Sequence, residues 1–251
     1  MKLYFAGEGR DKYFNKPENV LWSFAYIKDF SIYKWRKSFL LDSWAFSADT
    51  LWKKINIDDY IKFIKEHEED ITTYACLDVI GDAEWTLRNQ KYMEACGLKP
   101  MPTFHLWSDI KNFEYLVNNY DYIGLGWTVP YAKDREKLKR FFDYCFAYIF
   151  KHKLKTKFHG RWMTNYKLMV RYPFYTVDST GRLSWVRFNR FPVYDKGNFI
   201  WYTAGDYRKK FGIDFGKLSR GDKLRICYES YVKLEDYCTK LHQAKWLEYR
   251  L

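Results

Sequence analysis

Residues 38–48, SFLLDSWAFSA, carry an apolar run that stops at Asp42 and Ser43, and residues 174–180, FYTVDST, repeat the arrangement with Asp178 and Ser179. Short β-rich runs that end in Asp-Ser and lie far apart in the chain suit an α/β barrel, where the C-terminal ends of the strands surround one pocket. Two carboxylates facing each other there suit cleavage of a glycosidic bond. One attacks the sugar carbon while the other handles the leaving group's proton. The same dipeptide is common at strand-to-loop turns, where Asp bonds its own backbone, so each site taken alone also has a purely structural reading.

Between these two stretches, apolar β-rich runs alternate with segments of helical period, the signature of repeated βα units. Strands are expected at 38–42, 72–78, 101–107, 122–126, 155–159 and 175–178, with further ones at 2–6 and 183–188 to make eight. Asn56, Asp82 and Asp134 are placed to cap the helices that begin after them, each by accepting a first-turn amide hydrogen bond. The expected fold is therefore α/β, a (β/α)8 TIM-like barrel with room for an irregular closure and a C-terminal helical segment. Residues 1–190 form the barrel in this reading, and 191–251 an extension. Leu224, Cys227, Tyr231, Leu234, Tyr237, Cys238 and Leu241 recur every three or four residues there, which predicts a terminal helix packed on the barrel.

The chain of 251 residues is 47% hydrophobic and 22% aromatic, which excludes disorder from low hydrophobicity, and no repeat or low-complexity linker divides it. A net charge of +12 favours a polyanionic partner or an anionic substrate. AT-rich coding also produces this mix of Lys, Tyr, Phe, Asn and Ile, and the basic stretch 151–157 reads equally as a solvated helix end. Five cysteines, an odd number with no short paired spacing, argue against a zinc site and a disulfide framework. With no signal-peptide pattern and no apolar run of membrane length, the expectation is a soluble protein of a reducing compartment, read as cytoplasmic.

Under the barrel hypothesis the strand ends collect Asp42, Asp78, His105, Trp107, Gly126, Trp127, His159, Gly160 and Asp178. Three carboxylates around one mouth repel one another, so at least one must be protonated or paired in the empty site. Asp78, in YACLDVIGD, suits the adjacent N–H groups of a guanine edge, or caps its loop. His105 and His159 are proton-transfer candidates or structural hydrogen-bond partners. Gly124-Leu125-Gly126 lets the backbone approach a ligand but is too short for a phosphate-binding fingerprint.

Taken together, LLDSWAFSA, YACLDVIGDAEWTLRNQKYME, YDYIGLGWTVP, FHGRWMT and LMVRYPFYTVDST resemble, in consistent order over residues 1–190, the phage-type branch of the tRNA-guanine transglycosylase superfamily. Its members exchange guanine for a 7-deazaguanine in tRNA or DNA. The resemblance implies that Asp178 is the nucleophile forming a covalent glycosyl intermediate and that Asp42 handles the base and its proton. Asp78, with Ser43 beside the first motif, would recognise guanine, and Gly124 and Gly126 would supply backbone contacts. No cofactor is implied. The closely spaced cysteines of the family's zinc motif are absent, which points to DNA ahead of tRNA. Positions that are small in the family's pattern are here Trp44, Trp127 and Trp162, with Trp107 at a fourth strand end. These tryptophans, beside His159, raise the alternative of a repurposed barrel that binds or sequesters a nucleotide-like small molecule by stacking.

Overall fold

The computed structural model describes residues 1–7, 18–27, 30, 36–43, 55–106, 108–126, 131, 134–163, 165–183, 188–195 and 197–248, the last five as backbone only. Eight parallel strands follow one another around a curled sheet: β1 (Lys2–Ala6), β2 (Asn19–Ser23), β3 (Ser38–Asp42), β4 (Thr73–Tyr74), β5 (Thr103–His105), β6 (Tyr122–Gly126), β7 (Lys157–Gly160) and β8 (Thr176–Ser179). Each pairs with its sequence neighbour, and β8 returns to β1, with Tyr4 opposite Asp178. Only β4 and β5 lack a full ladder. There Ala75 and Met101 form a single parallel bridge, closed by Met101 N–H donating to Tyr74 O at 2.8 Å and Cys76 N–H donating to Met101 O at 2.9 Å. The result is a (β/α)8 barrel that is irregular at its closure.

Pro102 O accepts from Gly124 N–H at 2.8 Å, but the proline has no N–H to complete that rung of the β5–β6 ladder. The strands expected at 72–78 and 101–107 are shorter than their apolar runs, spanning Thr73–Tyr74 and Thr103–His105. The eighth strand is β2, in which only Val20 and Trp22 are buried, and not the expected run at 183–188. Leu183 lies in a 3-10 turn, Gly181–Leu183, and 184–187 fall outside the described residues.

From β3 onward helices cross over between successive strands: α1 (Ile57–Glu66), α2 (Ala83–Ala95), α3 (Ile110–Asn119), α4 (Arg135–Lys151) and α5 (Tyr166–Arg171). The expected caps are in place, with Asn56, Asp82 and Asp134 accepting from the amides of Asp58, Trp85 and Lys137 at 2.8, 2.9 and 3.0 Å. α4 buries Leu138, Phe142, Cys145, Phe146 and Ile149, the i, i+4, i+7, i+8, i+11 stripe of a helix lying on a sheet.

Past the barrel, β9 (Arg190–Asp195) and β10 (Asn198–Thr203) make an antiparallel hairpin, followed by α6 (Ala204–Phe211) and α7 (Arg220–Glu248). α7 buries Leu224, Cys227, Tyr231, Leu234 and Cys238, the spacing its sequence predicts. It lies along β1: Tyr231 meets Phe5 edge-on, Glu235 accepts from Leu3 N–H at 3.1 Å, and His242 Nε2 reaches Met169 O at 3.0 Å. No helix among the described residues is long and apolar enough to cross a membrane. All five cysteines are thiols.

Candidate functional site

Side chains alternate in and out along a strand, so one parity of each strand fills the barrel. Tyr4, Leu40, Ala75 and Met101, joined by Leu21 and Tyr122, make an apolar plug. Two to four residues further along the same parity the character changes. Ser23, Asp42, His105, Gly126, Arg161 and Asp178 ring the C-terminal end, joined by Ser43 and Asp78 beyond β3 and β4.

At the centre of this ring is Arg161, the residue after β7, whose backbone N–H continues the ladder to Leu125 O at 3.1 Å. Its guanidinium stands between two aspartates, with Nη1 3.3 Å from Asp42 Oδ1 and 3.9 Å from Asp78 Oδ1. Ser23 donates to Asp42 Oδ2 at 2.9 Å. Ser43 donates to Asp78 Oδ1 at 3.1 Å, and His105 Nε2 lies 2.9 Å from Asp78 Oδ2. Asp178 Oδ1 accepts from the backbone N–H of Trp162 at 2.9 Å. His159 Nε2 sits 3.3 Å from the same oxygen, near enough for an electrostatic contact but off the line of a hydrogen bond, while its Nδ1 lies 2.7 Å from Thr176 Oγ1. Thr176 in turn is hydrogen-bonded to the Tyr122 hydroxyl.

The repulsion expected among three carboxylates is resolved unequally. Burial, the largest influence, pushes the Asp42 carboxyl above the ordinary carboxylate range; Asp78 and Asp178 add to this, and Arg161 and Ser23 oppose it. At Asp78 burial is outweighed, and Arg161, His105 and Ser43 hold the carboxyl well below that range. Burial would lower the Arg161 guanidinium, but Asp78, Asp42 and Asp178 raise it further. The site thus has a carboxyl biased toward its protonated form beside a carboxylate biased toward its charged form, the separation that acid–base chemistry uses.

This difference sets a stability test. Folded Asp42 holds its proton more tightly than the unfolded chain does, so its contribution is best at low pH and is lost as pH rises through its raised value. Asp42→Asn is expected to gain stability relative to wild type as pH climbs from about 4 toward neutrality. Urea unfolding across that range measures it; a difference that is flat or shrinks with pH contradicts the assignment.

The glycines of β6 fit Arg161. A Cβ at Gly124 would stand 3.1 Å from Arg161 Nε, and one at Gly126 would stand 3.0 Å from Thr103 Cγ2, 3.3 Å from His105 Cδ2 and 3.5 Å from Arg161 Cδ. The space above these glycines, which the sequence reading reserves for a ligand, is filled here by the arginine stem. Trp162 stands at the rim with 45% exposure and a left-handed backbone, φ 55°. Trp44, Trp107 and Trp127 lie outside the described residues.

Arg161 and Ser23 are absent from the candidates read off the sequence. The signal for Arg161 was its spacing: it is two residues beyond His159 and so on the same face of β7. Among the described residues, no group of three His, Cys, Asp or Glu side chains is arranged to hold a metal ion. Comparison of the chain with known family models, curated proteins and solved structures finds no match in any of the three.

Proposed function

We propose that the protein exchanges a purine base in nucleic acid, in DNA ahead of tRNA, removing guanine and installing a 7-deazaguanine. The observation that carries this reading is the gathering of Asp42, Asp78 and Asp178 at one end of the barrel, the first two 3.3 and 3.9 Å from the Arg161 guanidinium, with Asp42 biased toward its acid form. Asp178 attacks the sugar C1′ as the bond from C1′ to the purine nitrogen breaks; the bonding electrons leave with guanine, which takes a proton from Asp42. The incoming 7-deazaguanine returns its ring N–H proton to Asp42 as it attacks C1′ and releases Asp178. The Trp162 amide at 2.9 Å orients the nucleophile, and Asp78 accepts N–H groups of the base edge. The target nucleotide must leave its stack to arrive, which suits a basic chain. The test is incubation with radiolabelled guanine and, in parallel, duplex DNA, single-stranded DNA or tRNA. Label entering DNA supports the reading, and label entering none of them contradicts it.

A second reading, nucleotide binding without exchange, is favoured by Arg161 filling the space over the β6 glycines while Trp162 offers an exposed ring at the rim. Trp162→Gly separates the two. Relief of the left-handed conformation is expected to stabilise the protein by about 1 kcal/mol in either case. Under the binding reading, nucleotide affinity falls by roughly 1–3 kcal/mol, the scale of one base–aromatic stack. Under the exchange reading, turnover is retained or rises. Fluorescence titration and the label assay read the two outcomes.

A further inference from the structure

Arg161 fills the space over the β6 glycines. Its guanidinium presents planar N–H groups to Asp42 and Asp78, and its stem lies over the side-chain-free backbone of Gly124 and Gly126. We propose that Arg161 is a built-in surrogate ligand, and that the acidic ring is a subsite for planar molecules carrying an amidine-type N–H edge, which enter by displacing its side chain. The proposal rests on the base-exchange reading only for the identity of the natural occupant, a 2-amino-oxopyrimidine edge such as guanine presents; the subsite itself rests on geometry.

Three features make the arginine displaceable. Its approaches to the two carboxylates are long, 3.3 Å to Asp42 and 3.9 Å to Asp78, whereas a close charge-assisted pair holds at about 2.7–2.9 Å. The guanidinium lies between the two carboxylates. Both carboxylates also have partners that remain when it leaves: Ser23 on Asp42, and Ser43 with His105 on Asp78. The receptor is therefore preformed, so little ordering is spent on binding. Finally, only the side chain has to move. The Arg161 backbone is fixed to Leu125, and its side chain keeps 12% exposure toward the mouth. The departing stem bares a strip of glycine backbone, a slot of the right shape for a flat ring.

The test uses guanidinium as the probe. Arg161→Ala is expected to melt about 6–20 °C below wild type, the scale of leaving buried carboxylates without their cation in a chain of this size. Guanidinium chloride at about 10 mM is expected to restore most of that loss, while equal sodium chloride or urea restores none and wild type does not respond. Arg161→Lys, which keeps the charge but not the planar edge, is expected to respond less than Arg161→Ala. An unaltered melting temperature, no rescue by guanidinium, or an equal response in wild type overturns the proposal.

Should Arg161→Ala fail to fold, wild type labelled with 15N-arginine decides. Added guanine is expected to move the Arg161 side-chain Nε resonance toward that of a solvated arginine. Guanine bound with that resonance unmoved, or no guanine binding, overturns the proposal. Rescue without base exchange would remove the exchange reading and keep the subsite; exchange without rescue would do the reverse.

Discussion

Asp178→Asn is expected to lower the rate of base exchange by about 10⁴-fold or more while leaving the fold intact. The substitution removes the only charge that attacks C1′ in the proposed mechanism, so both half-reactions are lost at once. Asn keeps the shape of the side chain and an oxygen that still accepts from the Trp162 amide, so the loop after β7 is held. Near-wild-type melting with label incorporation at background is the expected result. Equal incorporation by wild type and variant would remove Asp178 from the chemistry. Asp42→Asn is a milder change in the same assay, because water or a neighbouring group can partly replace a proton donor.

Gly181→Ala is expected to be the most damaging single added methyl among the described glycines. Gly181 sits in the 3-10 turn after β8, directly beneath Tyr231 of α7. A Cβ there would stand 2.6 Å from Tyr231 Cζ and closer still to its hydroxyl. The ring has no retreat, being fully buried with its centroid 5.0 Å from that of Phe199 and 6.3 Å from that of Phe5. Overpacking usually costs 1–3 kcal/mol, and this contact, against a ring that cannot move, is expected to cost about 4 kcal/mol. Urea unfolding gives the number. Tyr231→Ala creates its own cavity, but combined with Gly181→Ala it should show strong non-additivity. A loss under about 0.5 kcal/mol would mean that α7 does not dock on the end of β8 as described.

The parts of the fold that were readable in the sequence are those whose patterns are locally complete. Tyr122–Gly126 is an uninterrupted run between polar ends, and the caps at Asn56, Asp82 and Asp134 each announce a helix by side-chain chemistry. The Leu224–Cys238 stripe does the same for α7. β2 escaped because only two of its five residues are buried, so its alternation is too short to stand out, and its place was given to 183–188. The β9–β10 hairpin escaped for another reason. Phe191 and Phe199, on opposite faces, are both buried, one against Phe215 and the other against Tyr231, which erases the apolar–polar alternation of a sheet with one wet side.

The three aspartates were legible because each ends an apolar run, and parallel strands bring such ends together. Arg161 was not. Beside Gly160 and an exposed Trp162 it reads as a solvated loop residue; its spacing from His159 sets its face, but only the closed barrel shows that its side chain meets carboxylates from β3 and from the segment after β4. The fate of the carboxylate repulsion was legible in principle and not in detail. A partner or a proton was required, and the structure supplies both, the guanidinium for Asp78 and a raised carboxyl at Asp42.

The central claim is that Asp178 carries the sugar during exchange, and a trapped intermediate tests it most directly. The protein is mixed with guanine-containing DNA without a competing base, quenched in denaturant, digested and examined by mass spectrometry. The account expects a glycosyl ester on the peptide containing Asp178, absent from Asp178→Asn and discharged when 7-deazaguanine is added before the quench. Base exchange proceeding with no adduct on that peptide, or with the adduct on another residue, would contradict it.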